Sequence, residues 1–311
     1  MEPVSRDFTI DLRRLRILRE LEQRGTVVAT AASLHLTPSA VSQQLAGLAR
    51  EVGVQLLEKQ GRGVRLTGQA RVLLEHASVV QEQLERARAD LAAWRVGEIG
   101  EVRVAALSTG ISGVVAPAIA QLRSERPGLT VRAVEEEPPQ IFTRLDAGEV
   151  DIIIAADYQG APGRHDPHYY RVDLLTDRMD AVLPQGHRLA NPDGVQLADL
   201  AAEPWVASNA RDACAQITLA VCASAGFSPD VQHESKDWDA VGALVAAGAG
   251  VALVPRLAQP LRQQGLVVCP VVGSNASRLI FAAVRAGAQH DPTTAAVLAT
   301  LQEIAALRVE A

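Results

Sequence analysis

Residues 26–70 read TVVATAASLHLTPSAVSQQLAGLAREVGVQLLEKQGRGVRLTGQA, and this stretch decides the fold of the amino-terminal region. Thr26 can cap a short helix whose apolar side chains recur on one face. Thr37-Pro38 then supplies a capping hydroxyl and a proline at the first helical position, where the missing N–H costs no hydrogen bond. The apolar residues that follow repeat at i, i+4 and i+7. The stretch therefore predicts two helices joined by a tight turn.

The second of these helices presents small polar side chains on its other face, namely Ser39, Ser42 and Gln43. Two helices joined by a turn of three or four residues are typical of a helix-turn-helix, and one such helix fits a DNA major groove. Serine hydroxyls and a glutamine amide can form hydrogen bonds with base edges or phosphates. An ordinary helical hairpin with a polar outer face explains this segment equally well.

Residues 54–67, VQLLEKQGRGVRLT, place two apolar-rich runs on either side of Gly61-Arg62-Gly63. A Gly-X-Gly sequence favours a tight turn. An arginine at the tip of such a hairpin can enter a minor groove, where negative potential is concentrated. With Lys59 and Arg65 close by in sequence, the segment predicts a wing after the helix-turn-helix. A solvated hairpin with incidental charge is the alternative.

A long helix is predicted from about Gln69 to Trp94, because apolar residues alternate at spacings of three and four with no Gly or Pro between them. Such a helix is roughly 40 Å long. The narrow apolar stripe favours pairing with the same helix of a second copy. Two helix-turn-helix regions held about 34 Å apart by such a pair would meet successive major grooves of one duplex. Packing of the helix on its own chain is the alternative. The stripe consists of Ala70, Leu73, Ala77, Val80, Leu84, Ala87, Leu91 and Trp94.

Beyond residue 97 the pattern changes to short apolar strands alternating with helices, which indicates mostly parallel sheet with helices on both faces. Strands 170–184 and 278–284 are expected to cross between two such α/β sets. The prediction is two lobes with a cleft between them, a usual place for a small-molecule site. Lobe I covers about 101–174 and 278–311, and lobe II about 175–277.

Within that cleft, Ser108 and Thr109 follow the first strand and open a helix. Hydroxyls and backbone N–H groups at such a position can hold an anion, and they favour a carboxylate- or amide-bearing metabolite. Capping of the helix is the alternative role for these two residues.

Composition agrees with a globular protein, since 48% of the 311 residues are hydrophobic and 21% are charged. Residues 1–96 hold 14 cationic and 11 acidic side chains, whereas residues 97–311 hold 16 and 25, which hints at a polyanion-binding head on an acidic body. No spanning apolar segment and no secretory leader is recognised, so a cytoplasmic location away from membranes is expected.

An enzyme is not expected, because the sequence contains no HExxH, GxSxG or phosphate-binding loop motif. No metal or other cofactor is predicted, and His165 and His168 are interpreted as loop residues. Cys214 and Cys222 leave open a redox-sensing role. Because eight residues of helix separate them by about 12 Å, a disulfide would require the helix to melt. Buried, unreactive cysteines are therefore the favoured interpretation.

The whole pattern resembles the LysR-type transcriptional regulators. The resemblance rests on residues 26–70, on the long helix that follows, and on EVDIIIA at 149–155 and LVAAGAGVALVP at 244–255. It implies a winged helix-turn-helix domain at 10–67, a linker and dimerisation helix at 68–96, and a two-lobed effector-binding domain at 97–311. The fold of that domain is shared with periplasmic solute-binding proteins, so a cytosolic solute-binding protein without DNA function is an alternative for this part alone.

The resemblance also implies roles for individual residues. DNA contacts are expected from Thr37, Ser39, Ser42, Gln43, Arg50, Arg62 and Arg65. Family recognition helices often begin Thr-Gln-Pro-Ala, whereas this one begins Thr37-Pro38-Ser39-Ala40, so the proline is displaced by one position. Effector contacts are expected from Ser108, Thr109, Gly110, Ser208, Asn209 and Trp238. The implied partners are double-stranded promoter DNA, a small-molecule effector, RNA polymerase, and further copies of the chain as a homodimer and a dimer of dimers.

Overall fold

The computed structural model describes residues 10–60, 63–93, 100–208, 213–259, 261 and 263–309. The chain divides into two compact units, Met1–Glu85 and Arg86–Ala311. Among the residues described, no helix is both long enough and apolar enough to cross a bilayer.

The first unit is mainly helical. Its elements are α1 (Leu12–Arg24), α2 (Val27–Ser33), α3 (Pro38–Val52), β1 (Leu57–Gln60), β2 (Gly63–Leu66) and α4 (Gly68–Ala93), the last of which continues past the boundary. Thr26 and Thr37 cap α2 and α3 as their positions predict, each hydroxyl accepting a backbone N–H three residues later at 3.2 Å. Gly25 and Gly53 end α1 and α3 with φ near +70°, a conformation that other residues adopt only with strain.

One apolar core holds the first unit together. It joins leucines of α1, including Leu18 and Leu21, to Val41, Leu45 and Leu48 of α3. These side chains are nearly inaccessible to water, and each contributes about 1.5–3 kcal/mol by its burial. The core therefore buries the apolar face of α3 and leaves the opposite face exposed to solvent.

The apolar stripe of α4 is divided between two environments. Ala70 and Ala77 belong to the core of the first unit and Leu73 packs against it, whereas Leu84 and Leu91 are 47% and 72% exposed. The expectation of a single continuous pairing surface is therefore wrong for the amino-terminal part of the helix, because those residues cover their own chain. Trp94 lies outside the described residues.

The second unit is an α/β structure. Its strands are β3 (Gly100–Ala106), β4 (Leu129–Glu135), β5 (Ile152–Ala156), β6 (Tyr169–Pro184), β7 (Val195–Gln196), β8 (Pro204–Ala207), β9 (Asp230–Glu234), β10 (Ala252–Pro255), β11 (Leu266–Cys269), β12 (Val271–Val272) and β13 (Ser277–Arg285). Its helices are α5 (Ser108–Gly110), a π-helical turn (Ile111–Val115), α6 (Ala116–Glu125), α7 (Gln140–Asp146), α8 (Ala213–Ser224), α9 (Trp238–Ala246) and α10 (Pro292–Val309), with short 3₁₀ turns between.

Two long strands connect the two sets of elements, as the sequence predicts. β3 pairs in parallel with both β4 and β5, and β13 pairs antiparallel with β5. Tyr169–Arg178 of β6 pair with β13, whereas Met179–Pro184 pair with β10 and β11. β8 and β9 form a further parallel pair, linked to Val251 by one bridge at Trp205. The sheet thus curls through two lobes, and β6 runs from one to the other.

Burial follows this topology. All five residues of β5 are buried, as expected for a central strand covered on both faces. Separate clusters of buried apolar residues lie around Ile141 and Phe281 in the first lobe and around Val206 and Val241 in the second. The carboxyl ends of β3, β5, β8 and β9 bring their following residues together in the cleft between the lobes.

Candidate functional site

The outer face of α3 carries the polar residues that the sequence assigns to binding. Ser39, Ser42, Gln43 and Arg50 are all exposed on it. Thr37 is also exposed, but its hydroxyl accepts the hydrogen bond that caps the helix. Because the apolar residues face the core, these side chains lie on the solvent side of one helix, and a major groove admits one helix.

Helix α3 is fixed against α1 by Arg14, a residue that the sequence analysis did not single out. The Arg14 Nε donates to Gln44 Oε1 at 3.0 Å, and its Nη1 forms an ion pair with Glu51. The guanidinium lies over Gly47, where a Cβ would approach Arg14 Nη1 to 2.6 Å. The sequence carries one signal for this contact: Arg14 stands among the leucines of α1, and α3 has a glycine, Gly47, in the middle of the helix.

The β1–β2 hairpin forms with Leu57 opposite Leu66 and Gln60 opposite Gly63. Arg65 lies across from Glu58, and its Nη2 is 2.6 Å from Glu58 Oε1. Its positive charge is therefore shared with a carboxylate of the same hairpin. Arg62, which is predicted to occupy the hairpin tip, lies outside the described residues.

A cavity of about 40 Å³ lies in the cleft of the second unit. Four of the residues predicted to bind an effector, Ser108, Thr109, Ser208 and Trp238, are on its wall. Gly110 is buried behind that wall, where an added Cβ would come within 3.2 Å of Ile154 Cγ2. Asn209 lies outside the described residues. The described residues on this wall are Leu107, Ser108, Thr109, Glu137, Pro138, Ala156, Ser208, Ala213, Cys214, Ile217, Ser235, Lys236, Trp238 and Arg278.

Arg278, on the wall of this cavity, forms a buried ion pair that could not be predicted from the sequence. Arg278 of β13 and Asp177 of β6 have side chains only 4% and 1% exposed, with Nη2 2.8 Å from Oδ2. The same Nη2 donates to the Thr109 hydroxyl at 2.7 Å. Burial raises the pKa of the Asp177 carboxyl, and the neighbouring Arg278 works against that rise. Thr109 is therefore held by Arg278, and its hydroxyl is already engaged.

Asp177 also contacts the segment that follows β10. Its Oδ1 accepts the backbone N–H of Leu257, just after β10, at 3.1 Å. Nearby, Arg256 makes a two-point contact with Asp180 of β6, at 2.8 and 3.0 Å. The crossing strand thus carries two carboxylates that hold the segment following β10.

The cysteines have the character of structural residues. All three lie in the described part of the chain, and none of them forms a disulfide there. Burial raises the pKa of the Cys222 thiol to about 12. Burial also raises the pKa of the Cys269 thiol, whose Sγ accepts the backbone N–H of Asn191 at 3.3 Å. Cys214 is half-buried in the first turn of α8. A thiol with a raised pKa holds little of the reactive thiolate, so Cys222 is poorly suited to a redox role.

No cluster of three or more metal-ligating side chains occurs in the described part of the chain. The loop histidine His168 instead has its Nδ1 2.6 Å from Asp166 Oδ1.

Comparison with known proteins identifies two family domains in the chain. Residues 12–71 match the family model described as bacterial regulatory helix-turn-helix protein, lysR family, and residues 95–306 match the LysR substrate binding domain. The chain is 27% identical over 255 residues to the transcriptional dual regulator GltC of Bacillus subtilis, covering 79% of this chain and 81% of that protein. It is 26% identical over 295 residues to the HTH-type transcriptional regulator MetR of Salmonella typhimurium, covering 94% and 90%.

Among solved structures, full-length CbnR in complex with its target DNA superposes with a TM-score of 0.57 at 23% identity, covering 95% of this chain and 100% of that one. This similarity extends over both units and concerns the fold. Together with a family model that spans residues 95–306, and a second that spans the helix-turn-helix, it leads to one conclusion. The chain belongs to the LysR family of bacterial helix-turn-helix regulators.

Proposed function

We propose that this chain is a transcriptional regulator that binds promoter DNA through α3 and the β1–β2 hairpin, with a small-molecule effector in the cleft of the second unit controlling that binding. The observation that carries the proposal is the exposed polar face of α3, on which Ser39, Ser42 and Gln43 lie opposite a fully buried apolar face. CbnR, which shares this fold, has been crystallised with its target DNA. The domain limits 10–67, 68–96 and 97–311 are part of the proposal.

The proposed DNA contacts are of two kinds, those that read bases and those that bind phosphates. Gln43, Ser42 and Ser39 would read base edges or neighbouring phosphates in the major groove. Arg50, near the end of α3, would contact a phosphate and supply part of the salt-dependent affinity. Arg62 and Arg65 of the hairpin would lie at the adjacent minor groove, and Arg65 would have to exchange its contact with Glu58 for one with DNA.

Dimerisation is proposed through the exposed half of the α4 stripe. Val80, Leu84 and Leu91 present an apolar strip along one side of a 26-residue helix. Such a strip is buried when two helices pair, and two paired heads can occupy both halves of an inverted repeat. A second association between effector-binding domains would give the dimer of dimers that the family resemblance implies.

The proposed regulation follows from differential affinity. An effector that binds one arrangement of the lobes better than another shifts the population toward it, and any change in DNA affinity must be matched by an equal change in effector affinity. A changed DNA geometry would then alter the access of RNA polymerase. Because its target is promoter DNA, the protein would work in the bacterial cytoplasm.

The test is a fluorescence-anisotropy titration of the full chain with the intergenic duplex upstream of its own reading frame, beside a shuffled duplex of equal length. We expect a preference of about 10³-fold or more for the intergenic duplex, since the general range for such proteins is about 10³–10⁷. The affinity for both duplexes should fall as the salt concentration is raised from 50 to 200 mM. Equal binding to both duplexes, or none at 50 mM salt, would refute the proposal.

A further inference from the structure

The cavity of the second unit is too small for a metabolite in the arrangement described. Its volume of about 40 Å³ has room for about three water molecules, since one water needs about 10–15 Å³. Pockets that hold small molecules usually measure about 300–1,000 Å³. An open groove of about 1260 Å³ shares part of the cavity wall, namely Ser108, Thr109, Lys236 and Trp238. An effector that enters from the groove must therefore widen the cavity.

A leucine and a glycine from distant parts of the chain meet on the wall of this groove. Leu257 belongs to the short 3₁₀ turn that follows β10, and Gly113 belongs to the π-helical turn that follows α5. A Cβ added at Gly113 would lie 2.6 Å from Leu257 Cδ2, so the leucine occupies the space that a side chain would need. The two segments can approach so closely because position 113 has no side chain.

The segment that carries Leu257 is fixed to the crossing strand β6. The Leu257 N–H donates to Asp177 Oδ1 at 3.1 Å, and the Asp177 side chain is only 1% exposed. The preceding residue, Arg256, makes two contacts with the buried Asp180, at 2.8 and 3.0 Å. Withdrawal of this segment would leave buried carboxylates without their donors, which is costly. Leu257 is therefore held in place against Gly113.

Gly113 belongs to the same helical run as two residues of the cavity wall. The helix α5, the π-helical turn and α6 follow one another without a break from Ser108 onward. Within this run, the Ser112 hydroxyl donates to the Thr109 carbonyl at 3.3 Å. Since Ser108 and Thr109 are on the cavity wall, a retreat of that wall also draws Gly113 away from Leu257.

Given the proposed function, we propose that Leu257 seated on Gly113 is a latch that holds the cleft closed, and that this contact parts when an effector enters. The protein then divides into a closed population and a smaller open one. An effector that binds only the open form has an apparent affinity reduced in proportion to the open fraction. The latch thus controls effector affinity without contact with the effector.

Cys214 can report the opening of the cleft, because it is on the cavity wall and half-buried. N-ethylmaleimide is larger than the cavity, so we expect Cys214 of the full-length protein to react with it when the cleft opens. Mass spectrometry gives the labelling rate of each cysteine separately. Cys222, buried on the same helix, is the internal control, since its labelling reports unfolding of the domain rather than opening of the cleft.

The first variant, Leu257→Ala, removes the latch. Its matched control is Leu189→Ala, because both leucines are half-buried and pack against the same apolar core. We expect Leu257→Ala to label Cys214 about 10-fold faster than the unmodified protein, and Leu189→Ala to label it at nearly the unmodified rate, with Cys222 unlabelled throughout. Equal Cys214 rates in the two variants would overturn the proposal.

A disulfide across the latch gives the converse test. A Cβ at Gly113 would lie 3.8 Å from Leu257 Cβ, within the range of about 3.5–4.5 Å that disulfides span. The double variant, Gly113→Cys with Leu257→Cys, should therefore form this bond on oxidation. Its Cys214 should label about 10-fold more slowly when oxidised than when reduced, because the closed form is then locked. The proposal fails if the two new thiols persist after oxidation, or if the bond forms and the Cys214 rate stays the same.

Anisotropy of the intergenic duplex, measured on the same preparations, separates this inference from the broader one. Cys214 labelling that does not respond to the latch variants defeats the latch alone, and DNA binding is then retained. Failure of the unmodified protein to bind the duplex defeats the proposed function, whereas the labelling rates still decide whether the latch holds the cleft closed.

Discussion

Gln43 and Arg50 lie on the same exposed face of α3, seven residues apart, yet they offer DNA different chemistry. The amide of Gln43 can donate and accept at once, which suits one particular base, whereas the charge of Arg50 suits any phosphate. We expect Gln43→Ala to lose about 1–3 kcal/mol of discrimination at one base-pair position. Arg50→Ala should weaken all duplexes alike and lower the salt slope by about 1.

Anisotropy titrations with single base-pair variants of the bound sequence, at several salt concentrations, measure both effects. Gln23→Ala, an exposed glutamine on α1, is the matched control and should change neither. The division of roles is wrong if the two α3 variants lose the same affinity on cognate and unrelated DNA.

The buried thiol of Cys222 predicts how stability and thiol reactivity depend on pH. Burial holds its pKa at about 12, above the ordinary thiol value of 9.0, so the native protein retains its proton where an unfolded chain would lose it. Its contribution to stability is therefore complete below pH 9 and is lost as the pH rises toward 12. Native Cys222 should react with iodoacetamide at pH 8 at least 100-fold more slowly than in urea-unfolded protein, as mass spectrometry can follow. Rapid native alkylation would revive the redox-sensing alternative.

The candidate effector site was only partly predictable at the level of single residues. Ser108 and Trp238 could be placed on the wall because position after a strand or before a helix is a local property of the sequence. Arg278 and Asp177 could not, since the pair joins residues 101 positions apart whose meeting depends on the antiparallel register of β6 with β13. The one local indication was a cation at the head of an otherwise apolar strand.

At the scale of elements, hydrophobic period and capping residues predict most helices and the longer strands. The short strands β7 and β12, of two residues each, and β11 were not predicted, because two to four residues carry too little periodicity. The α4 stripe shows a different limit. A spacing of three and four is the same whether a helix face packs on its own chain or on another.

The contact between α1 and α3 can be tested through Arg14. Arg14→Ala removes the hydrogen bond to Gln44 and the partly exposed ion pair with Glu51, and should lower the free energy of unfolding by about 1 kcal/mol. Because α3 is then held less rigidly, affinity should fall for every DNA sequence. Urea unfolding and anisotropy measure the two effects.

The control is Arg13→Ala, at the exposed neighbour of Arg14. It should leave the free energy of unfolding within 0.5 kcal/mol of the wild type, about the usual range for surface changes. Equal stability of the two variants would show that the contact does not support α3.

At the scale of the whole molecule, the uneven charge has a physical consequence. The 14 cationic side chains within residues 1–96 include those proposed to meet phosphates, whereas residues 97–311 carry an excess of acidic groups. An acidic body is repelled by a polyanion, so DNA is drawn to the amino-terminal region and kept from the remainder. If the chains pair through α4 as proposed, two such regions act together, and we expect dimerisation to decide the affinity for DNA.

Leu84 tests that property directly. Its side chain is 47% exposed, so Leu84→Glu should leave the folded chain intact while placing a charge in the proposed helix pairing. Sedimentation should then show a monomer. The affinity for the intergenic duplex should fall by about 100-fold or more, because binding of one helix-turn-helix region no longer raises the effective concentration of a second one at the neighbouring half-site. Circular dichroism should be unchanged. Glu75→Gln, an exposed change of one charge unit about two and a half turns away on the opposite side of α4, should remain dimeric and bind normally. A Leu84→Glu protein that stays dimeric would place the pairing surface elsewhere, whereas a monomer with full affinity would show that one head suffices.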